Sequence, residues 1–175
     1  MTSITNKELI QTSDVFTGNI KASVTLVCFV DYESPECAKL NTVLNQLLSD
    51  FDNKIRINIR HFPMANKHQK AMKAAEAAVA AAQEGLFWPM NNILFSNQKT
   101  LGTISLKQHA RQVGCTNKRF LEQVINGTFA WPVREDLLEG LEMGIRTVPA
   151  VYVNGELFGE EVTVASLSKK IQQFL

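Results

Sequence analysis

The stretch VDYESPECAKLN, residues 30–41, joins a predicted strand to a predicted helix. The preceding run VTLVCFVD alternates and is rich in β-branched residues, which is typical of a strand. Ser34 is a good N-cap and Pro35 suits the first position of a helix. Apolar residues then recur at three- and four-residue steps: Cys37, Leu40, Leu44, Leu47, Leu48 and Phe51. With the strand-like run KIRINIRHF that follows, the pattern predicts a β-α-β unit with a right-handed crossover.

The chain between residues 66 and 143 has only helical patterns. The alanine-rich segment HQKAMKAAEAAVAAAQEG ends at a glycine, and four shorter helices are predicted in FWPMNNILFSNQ, TISLKQHARQVG, TNKRFLEQVING and PVREDLLEGLEMG. Strand character returns in TVPAVYVNGELFG, where Asn154-Gly155 predicts a hairpin turn. A last helix, TVASLSKKIQQFL, is predicted to be capped by Thr163. We therefore expect an α/β protein whose mixed sheet is interrupted by inserted helices.

Composition limits the classes of partner. The chain has 175 residues, of which 45% are hydrophobic, and a net charge of +1 spread evenly, so nucleic acid is not an expected partner. The first residues lack an apolar core of signal-peptide length, and no membrane span is expected. Three cysteines fit a reducing compartment. These features predict a cytoplasmic protein, although a mature exported protein placed behind a new Met1 would look much the same. They do not predict an oligomeric state.

Five segments, in this order, resemble DsbA-like thioredoxin-fold proteins from about Ser23 to Leu175: VTLVCFVDYESPECAKL, IRHFPM, AAEAAVAAAQEGLFWPMNNILF, GTISLKQHARQVGC and MGIRTVPAVYVNGELFGE. The resemblance implies a thioredoxin-like domain of residues 1–65 and 144–175, with an inserted helical domain of residues 66–143. It also implies an active-site turn facing a cis-proline at Pro149, with main chain at Val148 that can pair with an extended substrate peptide. Pro35 and Glu36 would contact that substrate from the turn. The implied partners are protein or peptide thiols.

Two positions depart from the chemistry of that family. Its usual C-x-x-C site uses the first cysteine as nucleophile and the second to resolve the mixed disulfide. Ser34 occupies the first position here, and an oxygen cannot form a disulfide. A helix dipole, worth about 1 kcal/mol, cannot ionise a serine hydroxyl at neutral pH. Cys28 stands where members of this fold often keep a buried carboxylate, so both departures predict the loss of dithiol exchange.

Three functions remain open for such a degenerate S-P-E-C site. The first is a thiol-disulfide oxidoreductase homologue with weak or no dithiol activity, in which Cys37 exchanges with glutathione or another small thiol. The second is a non-catalytic module that binds a peptide or protein. The third is a glutathione-dependent transferase or isomerase that uses Ser34, since kappa-class glutathione transferases share the fold and carry a serine before proline here. Glutathione is thus the only cofactor considered, and the scattered histidines predict no metal site.

The two residues of the site also have plain structural interpretations. Cys37 lies on the apolar face of its helix and is as well explained by packing as by reactivity. Ser34 is explained by capping, by donation to a bound thiolate, or by replacement of an original cysteine. We predict that Cys28 and Cys37 are free, largely buried thiols with raised pKa values, and that Cys37 is the less buried.

Overall fold

The predicted turn at residues 34–37 follows a strand of one mixed β-sheet. The computed structural model describes residues 9–175, so the first eight residues of the predicted segment 1–65 lie outside the described part. Five strands are arranged in the order β1-β3-β2-β4-β5. Their bounds are Thr17–Gly18 for β1, Val24–Val30 for β2, Ile55–His61 for β3, Ala150–Val153 for β4 and Glu156–Leu157 for β5. Strands β2 and β3 are parallel, whereas β4 runs antiparallel to β2.

The described part of the chain also contains seven α-helices. Their bounds are Pro35–Asp50 for α1, Ala71–Ala82 for α2, Phe87–Ser96 for α3, Thr103–Gln112 for α4, Phe120–Ile125 for α5, Ala130–Glu142 for α6 and Val164–Gln172 for α7. Helix α1 forms the crossover between β2 and β3, as the hydrophobic pattern predicts. Residues 66–143, all of which the structure describes, contain helices α2 to α6 and no strand. None of the described helices is long and apolar enough to cross a membrane.

Helix α2 is the centre of the inserted helices. It contacts α3, α4, α5 and α6, and its alanines are almost completely buried. Small side chains permit this close approach on every side, and the one acidic residue, Glu76, is paired with Lys73. The glycine and proline boundaries of the sequence thus mark the ends of real helices.

Local signals place the ends of several elements correctly. Ser34 caps α1 and Pro35 occupies its first turn, while Thr163 forms a capping box with Ser166 at the start of α7. Asn154 and Gly155 form the predicted hairpin turn with φ values of 48° and 83°. Strand β1 has no sequence signal, because two residues are too few to show a period.

Candidate functional site

The predicted turn lies where β2 ends and α1 begins. The Ser34 side chain accepts a hydrogen bond from the Cys37 backbone N–H at 3.2 Å, which satisfies one free amide of the helix start. Ser34 is only 5% exposed, whereas Pro35 and Glu36 lie at the surface. The serine therefore faces into the protein and toward Cys37.

Cys37 is completely buried, with 0% exposure. Its Sγ accepts a hydrogen bond from the Asp31 backbone N–H at 3.5 Å. Burial raises the pKa of the Cys37 thiol to about 11, and the hydrogen bonds from Ser34 and Asp31, which lower it, do not offset the burial. At pH 7 nearly all Cys37 side chains are then in the thiol form.

Cys28 lies in the middle of β2, between Val151 of β4 and Ile59 of β3. Burial, and next the charge of a Cys37 thiolate, raise the pKa of the Cys28 thiol well above its ordinary value. All three cysteines lie in the described part of the chain and are free thiols, which confirms this part of the prediction. Both residues have 0% exposure, so solvent exposure does not separate them, but Cys37 lies nearer the surface than Cys28, as predicted. The turn before α1 covers the Cys37 sulfur, so its place at a helix end does not expose it.

Asp31 is a buried carboxylate beside the turn, and the sequence analysis did not identify it. One of its oxygens accepts the Glu33 backbone N–H at 2.7 Å. The other accepts the Met64 backbone N–H at 2.8 Å and lies 2.9 Å from Nδ1 of His68. An aspartate whose carboxylate accepts the amide two residues later is a common turn motif, so the signal was present in the letters D-Y-E.

Pro149 lies at the other side of the strand ends. The Val148–Pro149 bond is cis in the structure. Phe29 of β2 pairs with Ala150 of β4, so the register places Pro149 next to Val30, from which the turn departs. A groove of about 330 Å³ borders Pro149 and is formed by residues 143–147, 149, 150, 152, 157 and 158. The turn at residues 34–37 is outside this groove, although both are reached from the same strand ends.

A chain of buried polar side chains runs behind the turn. The Tyr32 hydroxyl lies 3.1 Å from Nε2 of His61 and donates to Asn91 Oδ1 at 3.0 Å, and Asn91 continues the chain by donating to Asn41. Burial, and next the charge of Arg60, lower the pKa of His61 to about 3. His61 is therefore a neutral structural residue at neutral pH. The described residues contain no cluster of acidic, histidine or cysteine side chains suited to a metal ion.

Comparisons with known proteins agree on the fold. The model of a protein family described as Thioredoxin matches residues 11–173. A Na(+)/H(+) antiporter NhaA 1 from Salinispora arenicola is 32% identical over 155 residues, which cover 88% of this chain but 24% of that protein. The chain thus spans about a quarter of the length of this curated relative.

Two solved structures are similar over most of their length. BdbD from Bacillus subtilis, in its oxidised form, has a TM-score of 0.83 at 22% identity and is matched over 90% of both chains. The thiol-disulfide exchange protein alpha-DsbA2 from Wolbachia pipientis has a TM-score of 0.78 at 20% identity, over 90% of this chain and 85% of that chain. At these identities the likeness concerns the fold, which is that of DsbA-type proteins.

Proposed function

The chain belongs to the thioredoxin family whose model matches residues 11–173, and we propose that it has lost dithiol-disulfide exchange and binds extended protein segments instead. The loss of dithiol-disulfide exchange is supported by the residues of the turn at positions 34–37. An oxygen stands at the position of the family's nucleophile, and the remaining sulfur, Cys37, is fully buried with its pKa raised to about 11. Exchange at Cys37 alone is then slow, because a thiolate must be both formed and accessible.

The proposed binding of extended protein segments rests on the main chain around Pro149. Val148, Pro149 and Ala150 are half-buried and precede the residues of β4 that pair with β5, which are Tyr152 and Val153. Backbone groups in that position can accept an added strand from a partner. Two exposed apolar side chains, Met143 at 44% and Leu157 at 63%, border the groove beside Pro149. Such side chains provide contact for alternate residues of an extended peptide.

The geometry does not favour a glutathione transferase that uses Ser34. The Ser34 oxygen is engaged with the Cys37 amide, and the side chain faces the buried thiol instead of a groove. Sodium-proton exchange, named for the Salinispora relative, is not part of the proposal, because the chain matches about a quarter of that protein.

Insulin reduction tests the loss of dithiol exchange. The chain as it stands should be inactive, and Ser34→Cys should show activity in excess dithiothreitol, because it restores a thiol at the start of α1 and the external thiol can release the mixed disulfide that Cys37 resolves only slowly. Thr163→Cys is the matched control, since it also places a thiol at a helix N-cap, but on α7 and outside the turn at residues 34–37. Clear activity of the unaltered chain would overturn the proposal.

Binding of an unfolded polypeptide tests the groove. Reduced, carboxymethylated α-lactalbumin is a suitable probe, because it is extended and has no free thiol. We expect binding that Leu157→Glu weakens about tenfold, as for a contact at the centre of an interface. Ile104→Glu is the control, since Ile104 is also an exposed apolar residue, at 68%, but lies on α4. Absence of binding, or equal weakening by both variants, would refute the proposed binding alone.

A further inference from the structure

The inserted helices hold the active-site turn from one side through Gln98. This residue follows α3, and its Nε2 donates to the carbonyl oxygen of Tyr32 at 2.8 Å and to that of Ser34 at 2.9 Å. A single side chain thus bridges two carbonyls that lie two residues apart in the turn. The contact spans more than sixty residues of sequence.

The segment that leads into α2 holds the same turn from the other side. His68 Nδ1 lies 2.9 Å from the Asp31 carboxylate. The Lys70 backbone N–H donates to the Glu33 carboxylate at 2.9 Å. Each residue of the turn, from 31 to 34, therefore has a hydrogen-bond partner in the insertion.

The turn, in its own right, covers Cys37. The Asp31 amide contacts the Cys37 sulfur, and the Ser34 side chain accepts the Cys37 amide proton. The two residues just before Cys37 are exposed, so this part of the turn lies between the buried side chain and solvent. Access to the sulfur requires the turn to move. Cys28 differs, because it lies in the central strand β2 within the main hydrophobic core and becomes accessible only when the packing against the sheet opens.

We propose that Gln98 is a positioning residue that holds the turn closed, and that local release of the insertion exposes Cys37 while the sheet stays folded. His68 and Lys70 are the second anchor of the same closed state. The proposal concerns the regulation of the site described above, and it stands whether or not that site binds peptides. It makes the insertion the element that decides whether Cys37 can meet a thiol or a disulfide.

Thiol labelling with N-ethylmaleimide at pH 7, resolved by residue through mass spectrometry, tests this. Gln98→Met keeps the length of the side chain but removes both donated hydrogen bonds. We expect the labelling rate of Cys37 to rise about tenfold and that of Cys28 to stay unchanged, as for a local opening. Gln46→Met is the matched control, because Gln46 lies on the exposed side of α1 and, within residues 9–175, its side chain bonds only to Asp50.

Cys28 separates the proposed opening from simple destabilisation. If the labelling rates of both cysteines rise by the same factor, the variant has weakened the whole fold and the proposal is wrong. If neither rate changes, Gln98 does not hold the turn and the proposal is equally wrong. Gln98→Glu is the second variant should Gln98→Met fail to fold, since it keeps the shape and places a carboxylate against the two carbonyls. It should raise the rate of Cys37 at least as much, again without changing that of Cys28.

Discussion

Replacing His61 by glutamine should make the stability of the protein less sensitive to acid. His61 is 1% exposed and bonds through Nε2 to the Tyr32 hydroxyl, while Nδ1 has no hydrogen-bond partner among the described residues. Its pKa is lowered from 6.5 to about 3 by burial and by Arg60. The unfolded chain therefore binds a proton below pH 6.5 that the folded protein excludes.

The sign and size of the effect follow from this difference. Because the folded pKa is depressed, the contribution of His61 is fully present above pH 6.5 and is lost as the pH falls toward 3. Each pKa unit corresponds to about 1.4 kcal/mol, so acidification from pH 7 to pH 4 removes about 3 kcal/mol through this residue. Other titrating groups, including Asp136, are present in both proteins and cancel in the comparison.

The measurement is urea unfolding, followed by circular dichroism at pH 7, 6, 5 and 4 and constant ionic strength. His61→Gln is expected to have a lower free energy of unfolding than the unaltered chain at pH 7. The difference between the two proteins should shrink by about 3 kcal/mol at pH 4. Tyr32→Phe is the matched control, because it removes the hydroxyl partner but leaves His61 to titrate. A gap that is the same at all four pH values would refute the reasoning.

Two further changes test how the helices pack on the sheet. Asp136→Asn should lower the free energy of unfolding by about 3 kcal/mol, because it leaves the buried Arg60 paired only with the half-exposed Glu139; urea unfolding with little loss would contradict this. Gly140→Ala should lower it by about 1–2 kcal/mol, since a Cβ there would lie 2.7 Å from Cδ2 of Phe62 and the gain in helix propensity only partly offsets the overpacking. An unchanged or raised melting temperature of Gly140→Ala would show that Phe62 moves aside freely.

The parts of the fold that the sequence predicts are those with local causes. The cap of α1 involves Ser34 and an amide three residues later, and the hairpin depends on two adjacent residues with positive φ. The spacing of apolar residues alone predicts that Cys28 lies in a strand and Cys37 on the apolar side of a helix. A separation of two to four residues is enough for each of these inferences.

The burial of the site has distant causes and is not visible in the sequence. Cys37 lies in the first turn of a helix, where a thiol is commonly accessible and acidic. Its environment depends on Asp31, which is fixed by contacts with residues 33 to 37 positions away, and on Gln98, which is still farther along the chain. The cis arrangement at Pro149 is likewise implied only by the family resemblance, since no local pattern specifies it.

Restoring a cysteine at position 34 should expose one more consequence of this burial. In Ser34→Cys the new thiol would attack a substrate disulfide and form a mixed disulfide, releasing one substrate thiolate. Cys37 must then attack the sulfur at position 34 to release the second substrate thiol, but with its pKa at about 11 it is rarely a thiolate at pH 7.

We therefore expect the mixed disulfide to persist and to be seen as a covalent adduct by mass spectrometry under non-reducing conditions. Its decay should accelerate about tenfold for each pH unit between 7 and 9, as the Cys37 thiolate fraction grows. Rapid decay at pH 7 would show that the turn opens on substrate binding and that Cys37 ionises far more easily than its buried position allows.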